Sequence, residues 1–473
     1  PPVNPPVEPP VTPPIGEDTV CRDNCAELDA ATQSQTQVLP PPPSVLTSQT
    51  LTVKTLAQAE DTLADIQAQT GKKPALVYVN FTVPDRTAQF TDAQFNQLES
   101  SLVSEYQTLI TPKLNNAPPT LAIPPQQNYA LELVVITQGE DPYRITVPQA
   151  TRRDVLIATN RLLNLISKRQ DGYLPFAAEL YQWLIAPIEA TLSERKVDST
   201  LFFLPDGLRT LPLAALYDET EQKFVVQKDF SVGTAPSLNL VDYRYRNLNK
   251  APVLALGATQ FPEQNQTPLP GVGTELPLIQ SIKGGEYLLN QDFTLQSLEE
   301  RRRSNPVPIV HLATHADFLE AAPLKSYIQF YDQRLELPKW NQLDLNLPAT
   351  DLLVISACNT AVGNSAVELG FGGMAVQAGV KTSVASLWPV GDIGTVGLMD
   401  GFYRNLKTAS IKSEALQSAQ RALLSGAYQW SNNQLITPEG AIEFPELEGQ
   451  TVETLDLSHP YFWSAFMMIG SPW

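Results

Sequence analysis

Two short runs in the second half of the chain end in side chains that can do chemistry. Ile309-Val-His-Leu-Ala-Thr-His315-Ala316 and Asp351-Leu-Leu-Val-Ile-Ser-Ala-Cys358-Asn-Thr360 are both apolar and β-branched up to their reactive residue. A buried parallel strand delivers a side chain to its carboxyl end in this way. An imidazole on one strand end and a thiol on its neighbour make a base and a nucleophile. His315 would take the proton of Cys358 and return it to a leaving amine. The backbone N–H groups of Ala316 and Cys358 are the candidate donors to the developing oxyanion. The competing reading of a lone strand cysteine is an inert buried thiol. The matching histidine strand favours the nucleophile.

Other chemistries fit less well. His311 and His315 have the H-x3-H spacing that suits zinc on a helix, but four residues along a strand span about 13 Å, too far to share one ion. No metal is therefore expected, and His311, one layer deeper, reads as a structural, hydrogen-bonded histidine. There is no G-x-S-x-G elbow and no Walker A sequence. Gly370-Phe-Gly372-Gly373-Met-Ala375 matches G-x-G-x-x-A without directly following a strand, so close helix–sheet packing explains its glycines. No cofactor is expected. Asp392 and Glu368 are candidate carboxylates for a substrate pocket near Cys358, where a desolvated negative charge would favour a basic residue before the cleaved bond. Asp392 also reads as the N-cap of a helix starting at 393, a role compatible with the first. Trp388 reads as core or pocket wall.

The elements that must hold these residues alternate. Helices are expected over 53–70, 94–113, 150–168 and 176–195, with strands at 75–81, 129–136 and 201–204. From Val253 the alternation resumes with strands at 253–257 and 286–289 and helices near 273–283 and 294–303. The His315 strand, a hairpin over 327–337 and the Cys358 strand follow. A helix near 370–379, a strand at 382–387 and helices at 393–407 and 412–426 come next. Residues 427–458 read as a polar, acidic excursion without a clear period, and His459 to Gly470 is expected to close the sheet. This is an α/β pattern of two side-by-side units, over 46–250 and 251–473.

Residues 1–45 differ. Twelve of the 41 prolines fall within residues 1–43, so an extended polyproline II arm is expected. It reads either as a stiff linker or as a segment that docks on another copy, giving a homo-oligomer or filament. Cys21 and Cys25 lie in this segment. A small disulfide, two free thiols and half of an incomplete zinc site are the alternatives, the disulfide being the first. The sequence begins at Pro1 with neither an initiator Met nor a signal pattern, which reads as a processed or trimmed product. With the disulfide, that points to an extracellular or periplasmic location, the cytoplasm being the alternative.

The net charge of −18 over 473 residues argues against a nucleic-acid partner. The basic cluster Arg301-Arg302-Arg303 suits a helix end. No window holds 18 consecutive apolar residues, so no membrane span is expected.

Several of these segments together resemble the CHAT domain, a caspase-like peptidase domain, and most closely its cyanobacterial branch. The matching stretches are His311-Leu-Ala-Thr-His315-Ala, Ser356-Ala-Cys358-Asn-Thr, Glu368 to Gly379, Ala385-Ser-Leu-Trp388-Pro-Val-Gly-Asp392 and His459-Pro-Tyr-Phe-Trp463. Upstream, Leu180 to Pro187 and Leu204-Pro-Asp-Gly-Leu-Arg209 to Leu216 also fit, so the similarity spans about 74–473. It implies a caspase-like (caspase–haemoglobinase) fold whose first unit is degenerate and whose second is catalytic, with a His315–Cys358 dyad acting on a protein or peptide. Ala316 stands where many relatives have Gly. Two functions follow as expectations: a cysteine endopeptidase, or an exported structural protein with the dyad idle or only self-processing.

Overall fold

Parallel strands buried on both faces organise the chain. A computed structural model describes residues 54–83, 90–110, 128–261, 266–317, 325–336, 339–340, 343, 345, 350–358, 375–376, 379–445 and 455–473, with backbone alone for 106–110 and 357–358. The Pro-rich arm with Cys21 and Cys25, Glu368, and most of the helix expected at 370–379 lie outside them. Among the described residues no helix is long and apolar enough to cross a membrane.

In the first half, α1 (Leu56–Thr70) starts at a Thr55–Gln58 capping box and stops at Gly71, whose φ of 70° suits a glycine. β1 (Pro74–Thr82), α2 (Asp92–Ile110), β2 (Ala130–Ile136) and β3 (Tyr143–Thr151) follow. Thr151 then caps α3 (Arg152–Ser167). The single helix expected over 176–195 is two, α4 (Leu174–Leu184) and α5 (Ala186–Glu194); Pro187 lacks the N–H that an unbroken helix would use there and suits the first turn of α5. β4 (Ser199–Phe203), the small pair β5 (Tyr217–Asp218) and β6 (Lys223–Phe224), and β7 (Ser231–Ala235) complete this half.

The second half runs β8 (Val253–Gly257), α6 (Val272–Lys283), β9 (Gly285–Leu289), α7 (Leu295–Ser304), β10 (Ile309–Asp317), β11 (Tyr327–Gln329), β12 (Arg334–Glu336), β13 (Leu352–Cys358), β14 (Thr382–Ser386), α8 (Asp392–Asn405) and α9 (Lys412–Leu424). The stretch read as an aperiodic excursion contains a small antiparallel sheet, β15 (Gln429–Ser431), β16 (Gln434–Thr437) and β17 (Gly440–Glu443). Its first turn is Asn432-Asn433, both at positive φ, the geometry of a tight hairpin. Last come α10 (Pro460–Trp463) and β18 (Phe466–Gly470).

The described strands form one main sheet of 13, in the order β12-β11-β10-β13-β14-β18-β7-β4-β1-β2-β3, with β8 and then β9 also attached through β10. β18 was expected to close this sheet. It instead lies inside it, antiparallel to β14 and parallel to β7, joined to β7 through Ile469 and Thr234. The parallel strands of the first half therefore run opposite to those of the second. Alternate residues feed opposite faces. Ile309, Ala313, Leu352 and Val354 pack with α6 and α8, while Val310, Leu312, Leu353 and Ile355 pack with α7 and the β11–β12 hairpin. Such double burial explains why β10 and β13 read as near-continuous apolar runs.

Candidate active site

β10 and β13 are neighbours in parallel register, with His315 paired to Cys358 at their carboxyl ends. Paired positions on adjacent strands are about 4.8 Å apart and share a face of the sheet. That face is the one covered by α6 and α8. On its other side β10 pairs with β8 from Ile309 to Ala313 and with β11 at Ala316 and Asp317. His315 falls in the gap where one partner strand has left and the next has begun. It is also where the unbroken burial of β10 ends, since Ile309 to Thr314 are buried and His315 is half-buried.

Two groups hold the His315 ring. Its Nε2 is 2.6 Å from the Thr267 carbonyl oxygen, and the ring lies 5.0 Å from that of Phe261. A carbonyl can only accept, so Nε2 carries the proton and Nδ1 is left as the basic nitrogen. Thr267 acts through its main chain. It belongs to the 266–271 segment leading into α6, which is tied by Leu269 N–H to the Thr259 carbonyl (2.9 Å) and by the Gln266 side chain to Tyr327 Oη (3.1 Å).

His311, on the same face, is fully buried. Tyr403 Oη is 3.0 Å from its Nδ1, and Glu275 Oε1 is 3.1 Å from its Nε2. Burial, and then the Glu275 charge, push the Tyr403 hydroxyl well above its usual range, so Tyr403 donates to Nδ1. The proton on Nε2 then faces Glu275, although the two atoms are too poorly aligned to form a hydrogen bond. His311 is a packing residue.

Beside these strands lies a small cavity of about 20 Å³, lined among others by Gly271, Glu275, Ser356, Ser386, Asp392 and Phe466. Ser356 pairs with Ala313, two residues before His315 on β10, so the cavity lies on the His315 face of the sheet. Asp392 is not the cap of its own helix. Gly391 has the extended backbone of an N-cap (φ −61°, ψ 146°), and Asp392 is the first helical residue. Its Oδ2 accepts instead from the Gly271 N–H of the other helix start at 2.7 Å. The carboxylate thus stands where the amino ends of α6 and α8 converge, the end of a helix that favours negative charge. Gly271 permits this, since a Cβ there would lie 2.5 Å from Asp392 Cβ.

Trp388 is not a pocket wall. It is 1% exposed within the core, and its indole N–H donates to the Tyr461 carbonyl at 3.0 Å. Its bulk anchors the loop before α8. Ala316 lies opposite Ile328 in the β10–β11 ladder. Reading side chains overlooked Thr267, which contributes a carbonyl, as well as Phe261 and Glu275. Only Glu275, an acid inside an apolar helical stretch, left a signal.

The CHAT domain profile matches residues 174–471, more than half of the chain. No curated protein sequence matches it. Among solved structures, the separase–securin complex of Saccharomyces cerevisiae aligns over 88% of this chain at 10% identity and a TM-score of 0.36. A second structure of that complex gives 88% coverage, 8% identity and a TM-score of 0.37. The pro- and mature domains of RgpB from Porphyromonas gingivalis align over 67% of this chain and 76% of their own, at 10% identity and a TM-score of 0.35. The chain spans about a quarter to a third of the separase-complex chains it aligns with, 24% and 31%. The profile match, over more than half of its length, assigns the chain to the CHAT-domain family.

Proposed function

We propose that the protein is a cysteine endopeptidase in which His315 and Cys358 form the catalytic dyad. The observation that carries this reading is the in-register pairing of the two residues at neighbouring carboxyl ends, with His315 Nε2 on the Thr267 carbonyl. Nδ1 accepts the Cys358 proton, and the thiolate adds to the scissile carbonyl carbon. Backbone N–H groups near Cys358 and Ala316 stabilise the oxyanion. As the tetrahedral intermediate collapses, the C–N bond breaks and His315 returns the proton to the departing amine. Water then enters under the same base, releases the acyl group and restores the thiol.

The cavity carboxylates support a preference for Arg or Lys before the cleaved bond. Asp392 and Glu275 both line it, and Glu275 is 3% exposed. At about 20 Å³ the cavity holds a water rather than a side chain. A basic residue would therefore have to displace that water and part the amino ends of α6 and α8. The test is a peptide-library digest by the intact protein beside its Cys358→Ala form. Cleavage after Arg or Lys that vanishes in the variant is expected. Equal digestion by both, or Cys358 alkylated no faster than in denatured protein, would refute the dyad.

A further inference from the structure

Cavity and catalytic base are joined by one short stretch of main chain. Residues 266–271 reach Tyr327 of β11 through the Gln266 side chain, hold His315 at Thr267, meet Thr259 at Leu269 and end at Gly271, the residue that opens α6. No side chain of its own caps α6. The Gly271 N–H is held instead by Asp392, at 2.7 Å and 121 residues away in sequence. Three residues separate Gly271, which carries the Asp392 bond, from Thr267, a shift at one end of so short a segment being felt at the other.

We propose that Asp392 is a positioning residue for His315, acting through the Gly271 N–H and the 266–271 main chain to hold the Thr267 carbonyl where it fixes the imidazole tautomer. This rests on the dyad reading and adds to it. The carboxylate that a basic substrate side chain would meet is the one that sets the base. Among the described residues, the Asp392 bond is the charge-assisted tie on the segment, so it is the strongest single restraint described there. The Thr259 and Gln266 ties remain when it is cut, which bounds the effect at a partial loss.

The probe is alkylation of Cys358 by iodoacetamide across pH 5–9, a reagent with no cationic group for the cavity. With Asp392→Ala the rate at pH 7 is expected to fall about tenfold, and the rate–pH curve to move toward that of an unassisted thiol. Asp392→Asn keeps an oxygen that can accept from Gly271, so its alkylation stays within about threefold of the parent even as cleavage after Arg or Lys is lost. Gly271→Ala, whose new methyl collides with Asp392, reproduces the Asp392→Ala curve. The Gly271→Ala, Asp392→Ala double variant is no slower than either single one, because both cut the same tie. Should Asp392→Ala fail to fold, Gly271→Ala carries the test. A folded Asp392→Ala or Gly271→Ala protein with the parent's curve overturns the proposal and leaves Asp392 as a pocket wall. A His315→Ala protein with the parent's curve would instead overturn the dyad, and this proposal with it.

Discussion

Beyond the carboxyl end of β7, Glu99 is fully buried and accepts from Tyr78 Oη (2.7 Å), Ser237 Oγ (2.7 Å), Asn239 Nδ2 (2.6 Å) and the Leu238 N–H (3.2 Å). Near the carboxyl end of β13, Glu275 is almost as deeply buried, yet its Oε1 has no aligned donor. The same chemical group is glue in the first half and a poised charge in the second. Lys228 repeats the first pattern, with Asp218 at 2.6 Å and Glu189 at 2.7 Å. Where buried polar groups satisfy one another in this way, they add rigidity to the fold. In the other half, Glu275 Oε1 and His311 Nε2 are buried side by side without an aligned hydrogen bond.

Breaking the catalytic side of this contrast gives the largest change. His315→Ala should slow Cys358 alkylation and any peptide cleavage at pH 7 by about a hundredfold or more, while the urea midpoint stays near that of the parent. On the satisfied side, Glu99→Ala strands buried hydroxyl, amide and N–H donors and should lower stability by about 3 kcal/mol in urea titration, leaving the alkylation rate of the folded fraction unchanged.

Lys412 offers a middle case. Burial lowers its ammonium to about 7 from 10.5, against the partly offsetting charges of Asp351 and Asp242 and with Lys381 adding to the shift. Between about pH 7 and 10.5 the unfolded chain therefore binds the extra proton, so stability relative to Lys412→Met should rise with pH over that window and be flat below it. Parallel urea titrations at pH 6, 8 and 9.5 check the sign. The smallest effect sharpens the comparison most. Glu275→Gln, in contrast to Glu99, should change stability by less than about 1 kcal/mol, because no aligned hydrogen bond is lost.

β10 and β13 were legible because burial on both faces writes itself as a β-branched run, and His315 and Cys358, the proposed dyad, stand where those runs stop. β7 was not legible, since Ser-Val-Gly-Thr-Ala carries neither bulk nor alternation. The strands of the small sheet, at three or four residues each, are too short to show a period. Pro187 marked the break between α4 and α5, and the apolar face running through it concealed the break. Asp392 reads from sequence as an acid at the start of its own helix, and it is; its bond to the Gly271 N–H of the other helix is what the sequence does not show. Local sequence names the cap but not the distant amide it meets. Thr267 shows a further boundary, because a main-chain oxygen has no residue type to read.

The seam between the halves bears on synthesis. Residues 466–470 are the last of the sheet to leave a ribosome, yet they occupy its middle, between strands encoded more than 80 and more than 230 residues earlier. Until they arrive, β7 and β14 present facing edges with nothing between them. The His315 strand can thus be translated well before the sheet that supports it is whole, and such distant pairing makes for slow assembly. If the proposed dyad is active, its competence would wait until the final strand slots into the centre.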